Sequence, residues 1–135
     1  MKLSDRIEQH EGRRNRPYRC SRGKLTVGVG RNIDDVSFSD DEIDLMLKND
    51  IRRARNGAET FLAYQSLNEV RRGVLVEMIF QMGVAGVAKF RKFLEAAYMH
   101  EWQTAHDEML DSRWHKQTPT RAKKLAEIFL HGKHQ

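Results

Sequence analysis

The sequence predicts a mainly helical α+β protein with one small antiparallel sheet, and three observations predict it. Apolar residues recur at helical spacing through most of the second half of the chain. Two short alternating runs flank a glycine turn near the amino terminus, which is the pattern of a hairpin. No internal repeat, low-complexity tract or Pro/Gly-rich linker interrupts these patterns.

Taken in order, Leu3 and Ile7 with a stop at Gly12 predict a short first helix, with Ser4 as its N-cap. Tyr18–Cys20 and Leu25–Val29 read as two strands around Ser21-Arg22-Gly23, where glycine supplies the turn conformation. Ser39-Asp40-Asp41-Glu42 is a capping box, in which serine oxygen and glutamate carboxylate satisfy each other's end of the backbone. The helix it opens carries Ile43, Leu47, Ile51 and Ala54 on one face and stops near Gly57. Asn68–Met82 forms an unusually apolar helix, with Val70, Val74, Leu75, Met78, Ile79 and Met82 facing a core. Shorter helices follow over Phe90–Met99 and Thr104–Leu110. Thr118-Pro119, an N-cap followed by proline at the first helical position, opens a last helix with Leu125, Ile128 and Phe129 inward.

Composition narrows the class. A chain of 135 residues makes one domain, large enough to bury a core without disulfides or metal. Hydrophobic residues at 39% and charged residues at 32% are ordinary for a soluble globular protein. The single cysteine, Cys20, allows no intramolecular disulfide and fits synthesis in a reducing compartment. No apolar run approaches a membrane span, and charges interrupt Met1–Glu8, so that segment does not read as a secretory signal. Charge is segregated. Residues 1–24 hold eight Lys and Arg against three acids, residues 25–110 ten against fourteen, and residues 111–135 six against two. Basic ends around an acidic middle suit a polyanionic partner, nucleic acid or an anionic cell envelope, and equally suit a surface tuned for solubility.

Several chemistries are excluded. His10-Glu11 begins a zincin motif, but its second histidine position holds Arg14, and the six histidines show no metal-ligand spacing. Gly28-Val29-Gly30 lacks the third glycine of a dinucleotide loop, since Ile33 stands there. No Gly-x-Ser-x-Gly elbow occurs, and Cys20 has no histidine close in sequence, which speaks against a thiol protease. No basic recognition helix supports nucleic-acid binding. The reading therefore carries no metal, no cofactor and no nucleic acid.

One run of residues concentrates chemistry. Glu11 stands at the end of the first helix, Cys20 and Thr26 on the two strands of the hairpin, and Gly28 and Gly30 beyond. A glutamate at a helix end that faces a cleft can have its pKa raised enough to hold a proton near neutrality. Glycosidic hydrolysis needs such a proton donor and, opposite it, a group that delivers water or attacks. Taken alone, each residue has a plainer reading: Glu11 a surface acid, Thr26 a strand residue, Cys20 a small buried hydrophobe.

The spacing of Glu11, Cys20 and Thr26 resembles the catalytic signature of the phage-type lysozymes, the T-even phage endolysin family of glycoside hydrolases. The likeness continues through Val70-Arg71-Arg72, Phe80-Gln81-Met82-Gly83, Gly86-Val87-Ala88, Ser112-Arg113-Trp114 and Gln117–Lys123, in order and over nearly the whole chain. It implies a lysozyme-like fold: a β lobe at 13–38, a connecting helix at 39–57, and a helical lobe of 1–12 and 58–135. It also implies cleavage of the β-1,4 bond from N-acetylmuramic acid to N-acetylglucosamine in peptidoglycan. By motif, Glu11 is the general acid, Cys20 takes the position of an aspartate that assists the water or the developing charge, and Thr26 holds the water, giving inversion. Arg121 matches the arginine that pairs with the catalytic glutamate, Phe80 and Gln81 match the block lining the sugar cleft, and Gly30 matches a backbone contact to substrate.

The chain departs from the family pattern at three places. Cys20 replaces the commoner aspartate, with Arg19, Arg22 and Lys24 close enough in sequence to favour a thiolate. Arg31 replaces a histidine whose aspartate partner corresponds to Asp50, so an Arg31–Asp50 pair is expected. The segment from Asn32 to Phe38 is shorter than in T-even members. The resemblance implies a monomeric endolysin that waits in the host cytoplasm and reaches the periplasm and cell wall through a holin-opened membrane. Two other readings stay open: a lytic transglycosylase, which uses one acid and the sugar's own hydroxyl, and a peptidoglycan-binding protein without catalysis.

Overall fold

A computed structural model describes residues 1–134 of the chain. Its elements run α1 (Leu3–Glu11), β1 (Arg14–Arg19), β2 (Leu25–Gly28), β3 (Arg31–Asn32), α2 (Asp40–Ala58), α3 (Glu69–Ala88), α4 (Arg91–Tyr98), α5 (Trp102–Leu110), α6 (Arg113–Gln117) and α7 (Pro119–His131), with a 3-10 turn at Tyr64–Ser66. The mainly helical α+β class, with seven helices and one small three-stranded antiparallel sheet among the described residues, is present as expected of a lysozyme-like fold. Among the described residues no single helix is long and apolar enough to cross a membrane.

The chain divides into two compact units, Met1–Met46 and Leu47–Gln135, with the division falling inside α2. This grouping places α1 with the sheet, where residues 1–12 were expected with the helical lobe.

In the first unit, α1 starts two residues earlier than Ser4 as its cap would set it. Lys2 occupies the cap position with no side-chain bond, so Ser4 lies inside the first turn instead of capping it. Gly12, at φ +80°, ends the helix and donates its N–H to the Glu8 carbonyl. The sheet has the order β1-β2-β3, antiparallel throughout. Register passes from Arg14↔Gly28 to Tyr18↔Thr26, so β1 carries a bulge between those two pairs. The Cys20–Lys24 turn closes with Gly23 at φ +76° and its N–H on the Cys20 carbonyl at 2.8 Å. A third strand, only two residues long, was not expected from sequence; Thr26 pairs with its Asn32 and Val27 with its Arg31. The short connection after it is tied down from within: the Asn32 side-chain oxygen accepts from the Asp34 and Asp35 N–H groups, and Asp34 accepts from the Leu25 N–H at 2.8 Å.

The capping box forms as the sequence predicts. The Ser39 N–H donates to Glu42 at 2.8 Å and the Glu42 N–H reaches the Ser39 hydroxyl at 3.4 Å. Burial along α2 is confined to Ala54 and Ala58, while Ile43 and Leu47 remain about half exposed.

The second unit holds the apolar core. Phe93, Phe129, Leu75, Met78, Met109 and Val87 are fully buried there. Asn68 caps α3 by accepting from the Arg71 N–H, and Val74, Leu75, Met78 and Ile79 point inward as the periodicity requires. The helix is broken at Gly83, whose φ of +79° and ψ of 166° lie outside the helical region. Val87, beyond the break, rejoins the core. Arg71 fastens α3 to α7: it donates to the carbonyls of Phe129 (2.7 Å) and Leu130 (3.0 Å), and its guanidinium lies 3.7 Å from the Trp102 ring centroid. The last helix opens with Pro119 at its first position behind Thr118, as expected, but the Thr118 hydroxyl donates to the Trp114 carbonyl rather than capping. The five-residue α6, capped by Ser112 on the His115 N–H, was missing from the sequence reading.

Candidate active site

Glu11 is the last residue of α1 and is solvent-exposed. Its side chain lies against the backbone of Gly30: a Cβ built there would stand 2.8 Å from Glu11 Oε2. Gly30, at φ +68°, thus meets two demands that only glycine satisfies, a left-handed conformation and a carboxylate at close range. The turn Gly28–Gly30 between β2 and β3 therefore fits against the end of α1.

Cys20 and Thr26 come together across the hairpin. The thiol is held below the ordinary thiol pKa by hydrogen bonds from the Arg22 and Lys24 backbone N–H groups, against a smaller effect of burial, with further help from the Thr26 hydroxyl and the Arg22 charge. The turn's own amides therefore do most of what the neighbouring cations were expected to do. Thr26 is the one buried residue among 1–46, at 3% exposure. Its hydroxyl lies 2.9 Å from the Lys24 carbonyl oxygen and also faces the Cys20 thiol, so its one proton is shared between two acceptors.

Arg31 takes a different partner from the one expected. It donates to Glu42 at 2.8 Å, and Asp50 pairs instead with Arg53 one helical turn on, at 3.1 Å. Glu42 thus serves both the capping box and Arg31, and these bonds, Arg31 first, hold its carboxyl down to about 2. Sequence reading found Glu42 only as a cap because its second partner comes from a different element.

The remaining candidates belong to the second unit. Gln81 accepts from the Trp114 indole N–H at 2.9 Å and reaches the Thr118 hydroxyl at 3.4 Å. A buried Trp must place its N–H somewhere, and that was the available signal for this pair. Phe80 is partly exposed and lines a cavity of about 340 Å³ with Asp50, Arg53 and Val84. Arg121 donates through Nε to Glu77 at 2.9 Å, an acid the sequence reading had not singled out. Among the described residues no group of three or more His, Cys, Asp or Glu is arranged to hold a metal ion.

With this geometry in place, the comparisons with known proteins are specific. The phage lysozyme family matches residues 8–128, so the span from α1 into α7 is covered by one family domain and the chain belongs to the phage lysozyme family. It is therefore a glycoside hydrolase of the lysozyme type. It is similar to probable T4-type lysozyme 2 of Dictyostelium discoideum, with 26% identity over 96% of this chain and 94% of that protein. Probable T4-type lysozyme 1 of the same organism is 22% identical over the same shares. The pre-baseplate central spike protein Gp5 of Enterobacteria phage T4 is 27% identical over 98% of this chain, which spans only 28% of that longer protein.

Proposed function

We propose that this lysozyme is a muramidase that hydrolyses the β-1,4 bond between N-acetylmuramic acid and N-acetylglucosamine, with Glu11 as general acid and inversion at the anomeric carbon. The observation that carries the reading is that Glu11 lies against Gly30, in the turn after β2, while Thr26 on β2 faces Cys20 just past the end of β1. Glu11 protonates the leaving glycosidic oxygen as the bond to the anomeric carbon breaks. A water held by Thr26 attacks that carbon from the opposite side and passes its proton to the Cys20 thiolate or to solvent. Cys20, as thiolate, assists the water or offsets the developing positive charge. Gly30 offers backbone to the sugar, and Phe80 and Gln81 line the sugar site. Arg31 supports the sheet end of the site through its bond to Glu42, while Arg121 and Asp50 are engaged by Glu77 and Arg53.

The enzyme acts as a monomeric endolysin: it waits in the host cytoplasm, reaches the periplasm after a holin opens the membrane, and is held to the anionic envelope by its basic termini. Glu11→Gln keeps the side chain's shape and removes the transferable proton, so it abolishes turnover while leaving the melting temperature unchanged. Clearing of a peptidoglycan suspension within several-fold of wild type by that variant would take Glu11 out of the mechanism. Product analysis separates the rivals. Reducing-end N-acetylmuramic acid without anhydro-sugar excludes a transglycosylase, and any clearing excludes a protein that only binds.

A further inference from the structure

Between Arg13 and Lys24 the chain carries six cations and no acid. Three of them are matched from elsewhere in the first unit. Glu8 takes Arg13 through two bonds of 2.9 and 3.1 Å, Asp34 lies 3.6 Å from Arg19, and Asp35 lies 3.4 Å from Lys24. Arg14, Arg16 and Arg22 have no carboxylate partner among the described residues. Such uncompensated like charge in one short exposed segment gives a local positive potential that attracts an anion.

Two of the three sit on the bulge of β1. Four steps along β1, from Arg14 to Tyr18, oppose two along β2, from Gly28 to Thr26, so the residues between are not held in a regular ladder. Pro17 within them has no N–H to donate. Arg13–Tyr18 line a shallow depression of about 540 Å³, wide open to solvent. The Arg14 guanidinium lies 4.5 Å from the Tyr18 ring centroid, which orients its plane and leaves its N–H edge for a ligand. Arginine in this arrangement offers paired donors matched to an oxyanion.

We propose that the β1 bulge is an oxyanion subsite that takes carboxylates of the peptide stems of peptidoglycan, through Arg14 and Arg16. The proposal rests on the muramidase reading for its substrate. Carboxylates of the substrate are favoured over a phosphate-bearing surface because of where the bulge lies. Arg14 is three residues from Glu11, a reach of at most about 11 Å along the chain, so a glycan of a few sugars lying at Glu11 carries its stems past the bulge.

The test uses soluble glycan–peptide chains, either with free stem carboxyls or with those carboxyls converted to amides, and the double variant Arg14→Gln/Arg16→Gln. Both side chains are exposed, and an unchanged melting temperature confirms the fold; each single variant carries the same test with a smaller effect. On free-carboxyl chains the double variant raises KM several-fold with kcat unchanged. On amidated chains wild type and variant have the same, higher KM. The variant Lys48→Gln/Lys92→Gln, with the same loss of charge at exposed positions elsewhere, leaves KM on the soluble chains unchanged. Equal losses on both substrates, no loss on the free-carboxyl chains, or an equal effect of the lysine variant would each overturn the proposal. Loss of binding to phosphatidylglycerol vesicles with KM retained would overturn it in favour of a phosphate surface. Cosedimentation with sacculi in a Glu11→Gln background tests the same arginines without turnover. If turnover is absent but arginine-dependent binding persists, the muramidase reading fails and the subsite stands.

Discussion

Cys20 shows how a hairpin turn tunes a side chain. Two backbone N–H groups of the turn are aimed at the sulfur, and an amide donor stabilises the thiolate more than the thiol. The consequence is testable by alkylation with iodoacetamide across pH: the half-maximal rate falls below the pH of an ordinary cysteine, and Thr26→Val moves it back upward. If the thiolate takes part in the reaction, Cys20→Ala loses much of the activity, Cys20→Asp retains it, and the alkylated enzyme is inhibited. Full activity in the alanine variant would reduce Cys20 to packing. Glu11 differs, because its legibility came from family spacing alone. Nothing local in Glu11-Gly12 distinguishes a catalytic acid from a surface one, and the contact with Gly30 depends on a turn some twenty residues later. Arg31 and Asp50 mark the same boundary: the family pattern pointed to them as a pair, yet Arg31 binds Glu42 and Asp50 binds Arg53.

At the scale of elements, what depended on neighbours in sequence was legible. The Ser39–Glu42 box, the Asn68 cap, the inward face of α3 and the Pro119 start of α7 all follow from residues within one or two turns. Ser4 misled because a capping residue type inside a first turn is indistinguishable from one at its edge until the helix is seen to begin at Leu3. β3 and α6, two and five residues long, offer no period to read. The Arg31–Glu42 pair joins β3 to the start of α2, and its pH dependence has a definite sign. Glu42 titrates near 2 when folded and near 4.5 when free, so its contribution is present above about pH 4.5 and is lost as pH falls toward 2. Acid unfolding monitored through residues 1–46 therefore shows a steeper loss over that window in wild type than in Glu42→Gln. In the second unit, Phe129→Ala removes a fully buried ring packed 5.1 Å from that of Phe93, and should cost about 3–5 kcal/mol in denaturant unfolding. A loss under 1 kcal/mol would mean that the core closes over the vacancy.

Over the whole molecule, charge is arranged by position in the chain and not by a contact. The first 24 residues carry a net +5, the last 25 a net +4, and the stretch between them −4. If these ends serve wall binding, as proposed above, the attraction acts over roughly a Debye length, ~8–10 Å at physiological salt, before any sugar is bound. Capture of an insoluble wall and cleavage of a bond are therefore separable. Replacing Lys123, Lys124 and Lys133 with glutamine weakens binding to intact sacculi, and the weakening is largest at low salt, where the lost attraction was least screened. Cleavage of a short soluble oligosaccharide changes little, because a diffusing substrate needs no capture. Lys123 and Lys124 lie on the solvent face of α7, opposite the buried Leu125, Ile128 and Phe129, so their replacement leaves the core untouched. Equal losses on sacculi and on the oligosaccharide, at all salt concentrations, would assign these lysines to the shape of the enzyme instead of to its approach to the wall.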